Sequence, residues 1–219
     1  MKKIITILLS AAMLMMVCTA CGDKKETEPS ATPAQTEKAE EVAEKTEAPA
    51  DLYANTINFT IEMEDGGIMK GEHYPDLAPI TVENFVKLAK DKFYDGLIFH
   101  RVISGFMIQG GGYDETFKEK ETESIKGEFK INGVENDLKH TRGVISMART
   151  MVPDSASSQF FIMHQDTPSL DGQYAAFGKI TEGLDIIDEI ASVETTMIPE
   201  TGMADVPAEP VVIKTITIG

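Results

Sequence analysis

Four histidines, two cysteines and a cluster of serines are the groups in this 219-residue chain that could do covalent or metal chemistry. Their spacing argues against it. His73, His100, His140 and His164 lack the short intervals of a metal-binding motif. Cys18 and Cys21 both lie near the start, which excludes a disulfide framework and a Cys-rich metal site. Ser155, Ser157 and Ser158 sit in no Gly-x-Ser-x-Gly elbow, and no phosphate-cradling Gly-x-x-x-x-Gly-Lys-Ser/Thr occurs. The expected cofactor and metal content is therefore none. One charge is out of place: Arg101, inside the apolar run Phe99-His100-Arg101-Val102-Ile103-Ser104-Gly105-Phe106-Met107-Ile108-Gln109-Gly110-Gly111. A cation there costs free energy unless it is paired or opens into a cleft. It is either a strand end salt-bridged to one of the many acids or a group exposed in a cleft.

The elements that must position Arg101 follow from periodicity. Residues 56–64 alternate, with Ile57, Phe59, Ile61 and Met63 on one face, and predict a strand. Asp65-Gly66-Gly67 turns the chain into a return strand over 68–74. Pro79 suits a first helical turn, where its missing N–H is not needed, and Val82, Phe85, Val86 and Ala89 extend the helix to Lys90. Strands are expected at 98–102, 106–109, 143–148, 159–163 and 211–218, and a second helix at 183–191. Gly110-Gly111-Gly112 reads as a strand break, and 113–142 as a charged, irregular surface excursion. Short strands with two separated helices predict a mainly β domain, a barrel capped by helices.

The Arg101 run closely resembles the signature of the cyclophilins, a family of peptidyl-prolyl cis–trans isomerases. Gly143-Val144-Ile145-Ser146-Met147-Ala148-Arg149, Ser157-Ser158-Gln159-Phe160-Phe161-Ile162, and Leu170-Asp171-Gly172 with Phe177-Gly178-Lys179 resemble the later signatures, in order. The resemblance spans about residues 55–219. It implies a closed eight-stranded antiparallel β-barrel capped by two α-helices, and rotation of X–Pro bonds without a covalent intermediate. It implies catalytic roles for Arg101, as donor to the prolyl nitrogen, and Gln109, orienting Arg101 or a substrate carbonyl. Phe106, Met107, Phe161 and Leu170 would form the proline pocket. The main chain of Arg149 would hold the peptide, with Ala148 and Gln159 lining the groove. Tyr174 stands where many relatives carry His, Arg149 where Asn is commoner, and Ser169 where many carry Trp. This chain has no Trp, so strong cyclosporin binding is not expected. The alternatives, a proline-peptide binding module or an inert spacer, need no intact Arg101.

Before the domain come an address and a tether. Lys2 and Lys3 precede an apolar run over 4–17, shorter than the about 20 residues of a membrane span and suited to a secretory signal. The run ends in Cys18-Thr19-Ala20-Cys21-Gly22, which resembles a bacterial lipobox with Cys18 where Leu is usual. Residues 1–20 are thus expected to be a lipoprotein signal peptide and Cys21 the lipidated N-terminus; an ordinary cleaved signal leaving a free thiol is the alternative. Residues 21–50, without aromatics, Leu, Ile or Met, are expected to be a disordered acidic linker. As a coil it spans roughly 30 Å, fully stretched about 100 Å. Residues 51–219 form the domain. The net charge is −16, and with eight acids against four bases in 22–50 and two leader lysines, −14 of it falls on the domain. That opposes nucleic-acid binding. The expected partners are proline-containing unfolded or folding polypeptides and a membrane held through the lipid. The protein is expected to be a monomer on the extracytoplasmic face of the cell membrane, assisting the folding of exported proteins.

Overall fold

The computed structural model describes residues 53–199 and 201–219. The signal, Cys21 and the linker lie outside the described residues. Strand β1 (Ile57–Met63) turns at Asp65, whose carboxylate accepts the Gly67 N–H, into β2 (Ile68–His73). Helix α1 (Pro79–Lys90) follows, buried through Thr81, Val82, Phe85, Leu88 and Ala89. Its N-terminus has no side-chain cap of its own. Glu128, from far along the chain, supplies one: its buried carboxylate accepts the N–H groups of Ile80 (3.0 Å) and Thr81 (2.8 Å) and the Thr81 hydroxyl (2.7 Å). Two otherwise orphaned helix donors are satisfied this way. Strands β3 (Leu97–Ile103), β4 (Met107–Asp114), β5 (Val144–Met147), β6 (Phe160–Met163) and β7 (Ala176–Glu182) come next, then α2 (Leu184–Ala191). Strands β8 (Thr195–Ile198) and β9 (Met203–Pro207) pair as a separate hairpin, and β10 (Ile213–Ile218) ends the chain.

Eight strands form one antiparallel sheet in the order β10-β1-β2-β7-β5-β6-β4-β3. Its edges nearly close: Ile98 bridges Val212, and Phe99 N–H donates to Val211 O and Gly96 N–H to Ile213 O, both at 2.9 Å. The barrel and its two helices match the architecture expected above. Three local expectations change. Gly110–Gly112 do not break a strand; β4 runs through them. A Cβ on Gly110 would meet Ile98 O and Phe99 at 2.9 Å, and one on Gly112 would meet Gln159 at 2.5 Å, so these glycines admit neighbours to close range. The 113–142 segment is not wholly surface: Phe129, Glu128, Asn136 and His140 are buried, and it includes a 3₁₀ turn at Lys130–Asn132. Strands β7, β8 and β9 were not expected from periodicity.

The barrel interior holds a stack of rings. His73 lies flat on Phe59 at 4.1 Å and near-parallel to Phe177 at 5.1 Å, with Phe85 edge-on at 4.8 Å. Tyr94, Phe99 and Phe160 complete the pile. A smaller apolar cluster of Met107, Val144, Phe161, Met163 and Ala176 lies apart from it, with Phe106, Ala148, Leu170 and Tyr174 packed against it.

Candidate active site

The second cluster opens outward into a hollow of about 130 Å³. Arg101 on β3 and Gln109 on β4, which are register partners, form one wall. Phe106 and Met107, at the β3–β4 turn, form another, and Phe161 on β6, Leu170 and Tyr174 complete the apolar lining. Ala148 and Arg149, just after β5, form the rim. Of the ten domain positions singled out in the sequence, nine line this hollow. Gln159, the tenth, stands behind it and accepts a hydrogen bond from the Gln109 amide at 3.0 Å. That bond turns Gln109 toward Gln159 and the His100 ring (3.4 Å) instead of onto Arg101. Arg101 is half exposed, and among the described residues its guanidinium makes no hydrogen bond. Among the described residues it forms one ion pair, with Asp205, Nε to Oδ2 at 3.7 Å.

Each wall is braced from behind. The Gly105 N–H donates to His164 Nδ1 (2.8 Å), and the His164 and Gln165 N–H groups donate to Phe106 O. With Nδ1 accepting, His164 carries its proton on Nε2 and donates it to Asp188 (3.1 Å), which Arg142 grips through both terminal nitrogens at 2.7 and 2.9 Å. The Arg142 hydrogen bonds hold the Asp188 carboxyl below the usual carboxylate range. This series of contacts fixes the turn that presents Phe106. Phe161 meets Tyr174 edge-on at 5.6 Å and is backed by the His140 ring at 6.0 Å. His140 is itself fixed between Asp171 (3.1 Å) and the Ser146 hydroxyl (3.2 Å), and burial lowers its pKa despite Asp171.

Arg149 is wholly committed. Nε and Nη2 donate to Gln173 O, Nη1 donates to Thr150 O, and the guanidinium lies over both Tyr174 (4.7 Å) and Phe129 (4.9 Å). Its side chain ties the rim together; among the described residues its main-chain N–H and C=O have no backbone partner. A peptide could take both. Sequence reasoning missed Asp205, His140, His164 and Phe129. The carboxylates that hold the two histidines, Asp171 and Asp188, lie 31 and 24 residues away in the chain, which leaves no local sequence signal, and Asp205 belongs to the hairpin that was not expected.

A hollow with an apolar lining on one side and, among the described residues, a guanidinium fork free of hydrogen bonds, no nucleophile–base pair and a free main-chain edge can bind a small ring and stabilise a transient lone pair. It is not built for covalent catalysis. A family model described as "Cyclophilin type peptidyl-prolyl cis-trans isomerase/CLD" matches residues 58–218. A peptidyl-prolyl cis-trans isomerase of Acinetobacter baylyi is 45% identical over 177 residues, covering 77% of this chain and 88% of that protein. Peptidyl-prolyl cis-trans isomerase B of Escherichia coli is 44% identical over 155 residues, covering 66% of this chain and 90% of that protein. Among solved structures, a cyclophilin type isomerase of Cryptosporidium parvum superposes with a TM-score of 0.62 at 27% identity, covering 75% of this chain and 98% of that one.

Proposed function

This chain belongs to the cyclophilin-type peptidyl-prolyl cis-trans isomerase family, and we propose that it turns X–Pro bonds in exported polypeptides by an Arg101-assisted, non-covalent route. Rotation about a peptide bond has a barrier of about 20 kcal/mol, because twisting destroys amide resonance. The twisted bond leaves a lone pair on the prolyl nitrogen. A guanidinium fork beside the proline ring can donate to that lone pair in the twisted state and not in the planar one, so it lowers the barrier without tightening the ground state. Phe106, Met107, Phe161 and Leu170 take the ring; the main chain of Arg149 takes the peptide backbone; Gln109 would have to leave Gln159 to donate to a substrate carbonyl. A 10⁵-fold acceleration requires about 7 kcal/mol from all these sources together. The observation that carries the reading is Arg101, without a hydrogen-bond partner among the described residues, at the edge of a hollow lined by Phe106, Met107, Phe161 and Leu170.

The setting is a monomer held to the outer side of the cell membrane through lipidated Cys21. The short apolar run ending in Cys18-Thr19-Ala20-Cys21 and the acidic tether behind it support this reading. Turnover of a proline peptide by the full chain tests the enzymology. Metabolic lipid labelling of the parent and of Cys21→Ala tests the anchor: the variant should lose label and leave the membrane fraction. A Cys21→Ala protein that stays in membranes would mean an uncleaved apolar anchor instead.

A further inference from the structure

Arg101 needs something to aim it. The Gln109 amide, its register partner, is engaged with Gln159, and no other described group hydrogen-bonds the guanidinium. What stands beside it is Asp205, on the Nε side at 3.7 Å, with both side chains partly exposed. Asp205 has an unusual backbone. Its φ is +60°, one of three positive values at non-glycine residues among the described residues. It falls where the hairpin pairing slips: Thr196 pairs with Val206 and Ile198 with Met203, so β9 carries one residue more than β8. Such a bulge re-aims a side chain, and the left-handed conformation persists only where the surroundings enforce it. Here they do. Val206, the next residue, is buried, and β9 lies against β3, the strand that carries Arg101.

We propose that Asp205 is a positioning residue for isomerisation, its carboxylate holding the Nε edge of Arg101 so that the two terminal nitrogens are presented to the prolyl nitrogen. This rests on the Arg101 reading above. The pair is long and half exposed, so it steers the guanidinium without engaging its fork. A bidentate pair would occupy the donors that the twisted amide needs. The β8–β9 hairpin thereby becomes part of the isomerase machinery although none of its described residues lines the hollow.

The test uses the full chain and a tetrapeptide with a central Ala-Pro bond. Asp205→Asn keeps the shape and the tolerance for positive φ while removing the charge; Asp205→Gly suits the same φ and removes the side chain. At low salt both should lower kcat about three- to fivefold with peptide affinity unchanged, the size expected of a partly exposed ion pair. High salt should bring the parent's kcat down to that of Asp205→Asn. In an Arg101→Ala background, Asp205→Asn should have no further effect. A parent kcat in both variants, or the same loss with and without Arg101, overturns the proposal, since a merely structural hairpin would act in both backgrounds. If Arg101→Ala itself turns over at the parent rate, the Arg101 reading and this one fall together. If Arg101→Ala is slow and Asp205→Asn is not, the positioning role alone fails.

Discussion

Two polar side chains that can carry a positive charge, His73 and Arg101, stand in apolar surroundings with no hydrogen-bond partner among the described residues, and they meet opposite fates. His73 is sealed in the barrel interior between Phe59 and Phe177, both ring nitrogens unpartnered. Arg101 stands at the lip of the hollow, half exposed, its fork open to whatever enters. In the interior no water or ligand can reach the group, so its only response is to stay neutral: burial pushes the His73 pKa down to about 3 against a small opposing effect of the Phe177 backbone. At the lip, water satisfies the group until a substrate displaces it, and the same lack of protein partners is what leaves the donors available. An unpartnered polar group is a stability cost where access is closed and a functional group where it is open.

If the interior and the hollow are separate in this sense, damage to one should spare the other. Phe85→Ala, which empties the middle of the ring pile, should cost about 3–5 kcal/mol of stability in a urea titration, while turnover per folded molecule holds. A tenfold fall in that specific turnover would show that the two regions act as one mechanical unit. His73→Leu should do the reverse to stability, raising it by about 1–3 kcal/mol at pH 7, again with turnover unchanged. It should also blunt acid sensitivity. The folded pKa of about 3 lies below the ordinary 6.5, so the unfolded chain takes up the proton first. The stability is present above pH 6.5 and is lost as pH falls toward 3; His73 accounts for about 2 kcal/mol of loss by pH 5. His100, lowered to about 4 chiefly by burial, acts in the same direction and leaves a remaining share in the variant. Melts of both proteins from pH 7 to 5 decide this.

The smallest effect concerns the surface beside the hollow. If the 114–128 segment borders the groove for residues preceding the proline, as the family resemblance implies, its charge should bear on substrate choice. Glu128 is diverted to cap α1, and the Asp114 carboxylate to Thr116 and Lys118, but Glu115, Glu119, Glu121 and Glu123 are exposed. Peptides with Lys before the proline should turn over about twofold faster than those with Glu at low salt, the preference fading as salt is added. Equal rates at low salt would remove the segment from the account of substrate choice.

The parts of this molecule that were legible in the chain are those whose physics is local. Alternation exposed β1, and Pro79 with its helical repeat exposed α1 to the residue. Most of the hollow's lining was legible because it falls in or beside short blocks that resemble family signatures, Phe106-Met107, Ala148 and Leu170, with Arg149 and Tyr174 read by position where the family pattern departs. What stayed hidden depends on distant partners or on missing contrast. Strand β7 lies between β2 and β5 and begins with three buried residues, so it lacks alternation. Strand β8 is mostly exposed, with Pro199 and Gly202 beside it, and reads as loop. The Glu128 cap joins residues 47 positions apart. The turn of Gln109 toward Gln159 depends on Gly112 leaving room for that side chain.

The central claim is that Arg101 acts on the twisted bond and not on the bound peptide. It is tested most directly by measuring isomerisation rate by exchange NMR and peptide affinity by titration in the parent, Arg101→Lys and Arg101→Ala, each with a cooperative melt as control. Loss of a donor used only in the transition state should cost Arg101→Ala about 10²–10³ in kcat with affinity nearly unchanged. Arg101→Lys, which keeps the charge without the planar fork, should recover part of that. A folded Arg101→Ala protein that turns over proline peptides at the parent rate, or that loses rate only in proportion to affinity, would contradict the account.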